Sequence, residues 1–184
     1  MARRIRRIAL IVLAALVVGI VVLVIAVRPR IQDTAKDADS AWKPLIAPLS
    51  TRYNALQNVE NALVAAGAQN LGVSKELRLA LSDWALLRVS NNDVDQSKTA
   101  NRLEGLAMRA ETMASGTDRL KANQPLRAAF VAFASTKPPP KPVASFNHAV
   151  LDYEHARNGT FRGIVANIDG YDARPTLQIA NATS

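Results

Sequence analysis

The segment IALIVLAALVVGIVVLVIAV, from Ile8 to Val27, contains no charged, amide or hydroxyl side chain, and fifteen of its twenty residues are Ile, Leu or Val. An α-helix rises about 1.5 Å per residue, so twenty residues extend about 30 Å, the thickness of a bilayer's hydrocarbon core. The Ile, Leu and Val residues favour insertion by about 5 to 9 kcal/mol, an upper limit because residues near the ends contribute less. The segment therefore predicts a single transmembrane helix whose partner is the lipid bilayer.

Arginine residues flank this apolar segment on both sides, namely Arg3, Arg4, Arg6 and Arg7 before it and Arg28 and Arg30 after it. Within about 15 to 20 residues each side carries four Lys or Arg residues, but those at the N-terminus are more concentrated. We therefore expect a single-pass protein of the cell membrane, with its N-terminus in the cytoplasm and its body outside.

A cleaved signal peptide is the alternative to an anchor. Val24-Ile25-Ala26 fits the small-residue rule for cleavage after Ala26, and a basic region precedes the apolar segment. The apolar core of a signal peptide usually has about 7 to 15 residues, which is shorter than this one. The length favours a retained anchor.

The composition excludes several classes of function for the rest of the chain. Six of the 23 Lys and Arg residues lie in the first 30 positions, which leaves 17 against all 15 acidic residues, a net charge of +2. With scattered charge and few aromatic residues, a nucleic-acid partner is not expected. The chain has no Cys, which excludes disulfides, zinc–thiolate sites and thiol nucleophiles.

We divide the 184 residues into four parts. Residues 1–30 form the basic flank and anchor, 31–42 a juxtamembrane connector, 43–172 a helical bundle domain, and 173–184 a C-terminal tail. The segment 31–42 contains no Gly or Pro, so the anchor helix could also continue through it. Pro44 and Pro48 predict instead a kink or a new helix start near Trp42-Lys43-Pro44.

Apolar residues at spacings of three and four predict the helices of the bundle. The first stripe ends near Ala66, with Gly67 as the stop, and consists of Trp42, Leu45, Leu49, Tyr53, Leu56, Val59 and Leu63. A second helix is expected after an N-cap at Ser74, and a third from about Asp95 to Met113.

The second half of the chain continues the pattern. A short helix runs from Leu120 to Phe133, with Pro125 inside or opening it, and the proline-rich segment 136–142 is expected to be extended. Another helix follows over 143–157. The residues after it read as a helical turn and an irregular strap packed on the bundle, with a frayed end. Strand alternation is absent, so we predict an all-α fold, an antiparallel bundle of about four helices.

Residues that could carry chemistry have ordinary structural explanations. His148 and His155 are two turns apart, too distant to bind one metal ion together, and His148 with Asp152 reads as a solvated i, i+4 pair. The carboxylates considered for acid–base catalysis mostly lie opposite the apolar stripes, where side chains are solvated: Glu60, Asp83, Glu104, Glu111, Asp152 and Glu154. We therefore predict no catalytic, cofactor-binding or metal-binding residues.

Two pairs of residues are assigned structural roles. Trp42 and Trp84 are expected in the core, since Trp42 lies about fifteen residues past the membrane, beyond an interfacial position. Asn54 and Asn147, each beside an aromatic residue, are expected to form hydrogen bonds between helices.

Several blocks of the sequence resemble the LemA family of short, membrane-anchored, helical bacterial proteins. They occur in the family's order and cover most of Ala41 to Tyr171: Ala41-Trp42 with Leu49, Arg52, Tyr53, Leu56 and Asn58-Val59; Asn101-Arg102-Leu103 to Glu111; Leu120-Lys121-Ala122-Asn123-Gln124; Phe146 to Tyr153; Ile164-Val165-Ala166; and Gly170-Tyr171. The resemblance implies one transmembrane helix followed by an antiparallel bundle of about four helices, with no established biochemical activity. Pro44, Pro48 and the proline-rich segment depart from the family pattern.

These observations favour a non-enzymatic, membrane-anchored module that binds or scaffolds a protein partner at the cell envelope. The identity of that partner and the oligomeric state are not readable from the sequence. A sensory ligand-binding bundle and an envelope-spanning tether are the alternatives, and a hydrolase is a remote third.

Overall fold

The computed structural model describes the backbone of residues 2–180 and the side chains of residues 18–180 except 20–23, 26, 160 and 161. That part of the chain contains seven helices and no strand, which confirms the predicted all-α class and helical bundle. The helices are α1 (Ala2–Ala65), α2 (Gly72–Leu87), α3 (Asp93–Ser115), α4 (Asp118–Lys121), α5 (Gln124–Ser135), α6 (Pro140–Arg157) and α7 (Thr160–Ile168).

The predicted transmembrane segment Ile8–Val27 belongs to α1, but most of its side chains lie outside the described residues. Among the described residues, no helix has both the length and the hydropathy needed to cross a bilayer. The last few residues of the chain were predicted to fray, and residues 181–184 are likewise outside the described part of the chain.

Helix α2 runs antiparallel to α1. Arg78 contacts Glu60 with an N–O distance of 2.8 Å, and six residues later the ring of Trp84 packs edge-on against Tyr53, with the ring centroids 4.9 Å apart. Both contacts place later residues of α2 beside earlier residues of α1. The short connection of a few residues after Ala65 enforces this direction.

Helix α3 turns back and runs parallel to α1. The indole Nε1 of Trp42 donates a hydrogen bond to Oε1 of Gln96 at 2.5 Å, and Arg52 binds Glu104 further along both helices. Gln96 also donates from Nε2 to the carbonyl oxygen of Leu87 at 2.8 Å, which ties the α2–α3 connection to α1.

The fourth position of the bundle is filled by α5 and α6 placed end to end. Phe133, at the end of α5, lies against Arg52 of α1, whereas Phe146 of α6 packs on Trp42 with ring centroids 4.8 Å apart. Both helices therefore run antiparallel to α1. The proline-rich segment joins them, and α6 begins at Pro140, so the prediction of an extended chain through Pro142 is wrong. Prolines fit the first turn of a helix, where their missing N–H needs no partner.

Helix α1 is continuous, so a new helix start near Trp42-Lys43-Pro44, one of the two predicted outcomes, is wrong. Proline within a helix costs about 3 kcal/mol because it removes a hydrogen bond and crowds the preceding turn. Pro44 is exposed and Pro48 half-buried, whereas the residue after each of them, Leu45 and Leu49, is fully buried. Packing of the opposite face therefore holds the helix together through both prolines.

The predicted connector, 31–42, also lies within α1. Its Ile31, Ala35 and Ala38 are buried. Trp42 and Trp84 are both buried in the core, as predicted.

Helix α1 ends at Ala65, and Gly67 has a φ of 72°, a left-handed conformation that suits glycine at a helix end. The predicted N-cap Ser74 is wrong, because α2 begins at Gly72 and leaves Ser74 inside it.

Candidate polypeptide-binding groove

Residues 171–180 follow α7 and lie between α3 and α6; we call this segment the C-terminal strap. It is neither helix nor strand. Side chains from α1, α3 and α6 bind its main-chain groups, as the following contacts describe. The prediction of an irregular strap packed on the bundle is confirmed.

Asn147 of α6 binds both main-chain groups of Leu177. The side-chain oxygen accepts a hydrogen bond from the Leu177 N–H at 2.7 Å, and Nδ2 donates to the Leu177 carbonyl oxygen at 3.0 Å. A side-chain amide offers one acceptor and two donors, as a neighbouring strand would. Asn147 was predicted to form a hydrogen bond to another helix, but it binds the strap instead. Asn54, for which the same prediction was made, is exposed.

Asn101 of α3 binds the other edge of the strap. Its Nδ2 donates to the carbonyl oxygen of Thr176 at 2.8 Å, and its side-chain oxygen accepts from the N–H of Gln178 at 2.8 Å. In an extended chain the main-chain groups of successive residues point to opposite edges. Thr176 and Gln178 therefore face α3, and Leu177 between them faces α6.

We call the space between α3 and α6 that holds the strap the groove, and a buried ion pair lies at one end of it. Nε and Nη2 of Arg52 donate to the two carboxylate oxygens of Glu104 at 2.7 and 2.8 Å, and the two side chains are 0% and 2% exposed. Nη1 of Arg52 also donates to the carbonyl oxygen of Phe133, and the guanidinium lies 3.9 Å from the centroid of the Phe133 ring. The pair is thus fixed by α1, α3 and α5.

This ion pair binds Ala180 of the strap. The N–H of Ala180 donates to Oε2 of Glu104 at 2.9 Å, and Nη2 of Arg52 donates to the Ala180 carbonyl oxygen at 3.1 Å. Hydrogen bonds that involve charged groups are stronger than neutral ones. The Arg52 guanidinium therefore binds the C=O of Ala180, and the Glu104 carboxylate binds the N–H of the same residue.

The other end of the strap is held by α6. The hydroxyl of Tyr153 donates to the carbonyl oxygen of Asp172 at 2.8 Å, and Nε of Arg157 donates to that of Tyr171 at 2.9 Å. These contacts, too, involve main-chain atoms of the strap, so they do not depend on which side chains the strap carries.

Arg174 is the strap residue that contributes a charged side chain to this binding. Its guanidinium pairs with Asp39 of α1 and lies 5.0 Å from the Tyr153 ring centroid, while its N–H donates to Oε1 of Glu154 at 2.7 Å. Leu177 and Ala180 supply the buried apolar contacts, with 2% and 5% of their surface exposed. An aliphatic and a small side chain thus occupy the two buried positions of the strap.

Glu60 and Glu104 were predicted to lie on solvated faces, and this is wrong. They are 3% and 1% exposed, and each pairs with an arginine, Arg78 or Arg52. Burial raises the pKa of Tyr53 well above its usual value of 10.0, and the charge of Glu104 raises it further.

The histidines lie away from the groove. Nδ1 of His148 is 2.9 Å from Oδ2 of Asp152, and the two side chains are 79% and 59% exposed, which agrees with the predicted solvated pair. His155 is exposed as well. In the part of the chain with described side chains, no group of three or more His, Asp and Glu residues is arranged to hold a metal ion.

Comparison of the chain with profiles of known families, with curated proteins and with solved structures finds no match.

Proposed function

We propose that the protein is a non-enzymatic, membrane-anchored module of the LemA type whose helical bundle binds an extended segment of a protein partner. The observation that carries the proposal is the manner in which the strap is held. Seven of its residues are bound through main-chain N–H or C=O groups, from Tyr171 to Ala180. Main-chain recognition of an extended segment is how proteins bind peptides with little dependence on sequence.

The chain's own strap is then the resident ligand, and a partner segment replaces it. A partner requires an extended conformation, an aliphatic residue in the position of Leu177 and a small one in that of Ala180. Both of these strap side chains are buried. The tethered strap competes at an effective concentration in the millimolar range, as expected for a short linker.

Binding can be tested with a fluorescent peptide of the strap sequence, GYDARPTLQIA (170–180). The full-length chain carrying Leu177→Asp should bind this peptide saturably, because a charged residue in the apolar position weakens the tethered strap. The wild-type chain should bind it at least about tenfold more weakly, since its own strap occupies the groove. Fluorescence anisotropy measures both affinities.

The matched control adds Asn101→Ala and Asn147→Ala to the Leu177→Asp chain. These changes remove four hydrogen bonds to the main chain of the strap. Peptide binding should then be lost while the helical circular dichroism is kept. Equal binding by the control and by Leu177→Asp would show that the groove is not the peptide site.

We further propose that the segment Ile8–Val27 is the membrane anchor, with the N-terminus cytoplasmic and the bundle outside. Support comes from the apolar run and from its flanking arginines. Ser115→Cys and Ala2→Cys in intact cells test the orientation with a membrane-impermeant thiol reagent, because the chain has no other Cys. Labelling is expected at position 115 only. Labelling at position 2 only would show that the bundle is cytoplasmic and the N-terminus outside.

A further inference from the structure

Helix α7 (Thr160–Ile168) packs on α1 where the predicted anchor ends. Val165 and Ala166 of α7 are buried in one cluster with Ile31 and Ala35 of α1, and Val24 and Val27 contact the same cluster. This small core is separate from the main core of the bundle. It fixes α7 at the level of residues 24–35.

An ion pair also holds the end of α7 to α1. Nε of Arg28 lies 3.0 Å from Oδ2 of Asp169, the residue that follows α7, and Asp169 is mostly buried. Arg28 is the first residue after the apolar segment. The position of α7 along α1 is therefore set by apolar packing and by an ion pair.

The opposite face of α7 is apolar and uncovered. Ile164 and Ile168 are 54% and 76% exposed, and as an i, i+4 pair they lie on one face of the helix. At about 100° per residue, this face is turned about 130° from that of Val165 and Ala166, which are almost fully buried. Two exposed isoleucines on one face of a helix, beside a buried apolar side, form an apolar surface on which a second apolar neighbour can pack.

We infer that this neighbour is the bilayer surface, on which α7 lies with Ile164 and Ile168 in the interfacial layer. The inference rests on the proposed anchor. Residues 24–35 extend from about 5 Å inside the end of the apolar segment to about 12 Å beyond it. The interfacial layer of a bilayer is about 5 to 7 Å thick on each side, so the part of α7 that packs between Val27 and Ile31 is at its level.

The charges around α7 suit an anionic headgroup layer. Arg30 is exposed on α1 at this level and Arg162 is half-exposed on α7, whereas the charge of Arg28 is paired with that of Asp169. Each basic residue close to an anionic membrane surface adds to the attraction. Apolar residues on one helix face together with nearby arginines are the usual composition of an interfacial helix.

The test uses the full-length chain in vesicles that contain anionic lipid and spin-labelled lipid quenchers. Three single substitutions, Val18→Cys, Ile168→Cys and Leu86→Cys, carry an environment-sensitive fluorophore. Their parent side chains are similarly exposed, at 61%, 76% and 72%. Position 18 reports on the anchor, 168 on α7, and 86 is a control on the bundle. Quenching at position 168 should exceed that at 86 at least twofold.

The two proposals fail in distinguishable ways. Quenching at position 18 without quenching at 168 would overturn the surface position of α7 and leave the anchor intact. A blue shift at 168 without lipid quenching would assign the face to a protein neighbour, such as a second copy, and would also overturn it. Absence of quenching at both positions would overturn the anchor and the inference together.

Discussion

The ion pair between Arg52 and Glu104 gives the sharpest prediction of stability. Both side chains are withdrawn from water, so removal of one partner leaves the other as an unpaired buried charge. Loss of one member of a buried pair typically costs about 3 to 5 kcal/mol. Arg52→Met and Glu104→Gln should each lower the free energy of unfolding by about this amount.

The double variant Arg52→Met/Glu104→Leu separates the charge effect from packing. Replacement of a whole buried pair by apolar residues is often neutral, but here the N–H and the C=O of Ala180 each lose a partner, at about 1 to 3 kcal/mol for each group. The double variant should therefore lose about 2 to 6 kcal/mol, less than the sum of the single losses, about 6 to 10 kcal/mol.

Urea unfolding of the full-length chain in mild detergent measures these values. Trp42 and Trp84, the two tryptophans of the chain, both report on the bundle core. The matched control is Arg102→Met, which removes a surface pair with Asp83 and should change stability by no more than about 1 kcal/mol. Single variants that lose less than about 1 kcal/mol, or a double variant equal to their sum, would refute the reasoning.

Three further predictions concern buried polar groups. Burial raises the pKa of Tyr53, so the unfolded chain ionises first and stability falls as the pH rises above about 10; Tyr53→Phe should flatten this alkaline loss in urea titrations at several pH values. Gln96→Leu leaves the Trp42 indole without its acceptor and should lower the unfolding free energy by at least about 1 to 3 kcal/mol. Asn147→Leu should raise the hydrogen-exchange rate of the Leu177 amide at least tenfold, as seen by mass spectrometry or NMR.

Each of these has a contradicting outcome. An unchanged alkaline limb in Tyr53→Phe would mean that other groups cause the loss of stability there. A Gln96→Leu chain as stable as wild type would show that Trp42 finds another acceptor. Unchanged exchange at Leu177 would indicate that protection of the strap comes from its apolar contacts, and Asn54→Leu, at an exposed position, serves as the control.

The sequence was sufficient to predict the helices, because apolar residues at spacings of three and four follow from burial of one helix face. The same spacing also contained the buried ion pair. Arg52 lies three residues after Leu49 and four before Leu56, and Glu104 lies four after Ala100, so both occupy buried stripes. A charged residue within an apolar stripe indicates a buried charge. The buried pair was missed because the carboxylates were assumed to be solvated.

The groove itself could not be predicted. Asn101 and Asn147 are 46 residues apart in sequence, and neither carries a local pattern that distinguishes it from a solvated asparagine. Their role depends on where α3 and α6 stand relative to the strap, which only the packing of helices decides. The continuity of α1 had the same origin, since packing against Leu45 and Leu49 outweighed the local effect of the prolines.

The unbroken α1 makes the bundle a lever on the proposed anchor. From Val27 to Ala65 the helix extends about 57 Å, so a tilt of one degree at the membrane displaces its far end by about 1 Å. Residues of α1 contribute to the core along this whole length, and the rest of the bundle moves with it. Changes in bilayer thickness or in the tilt of the helix would therefore be amplified at the loops around Gly67.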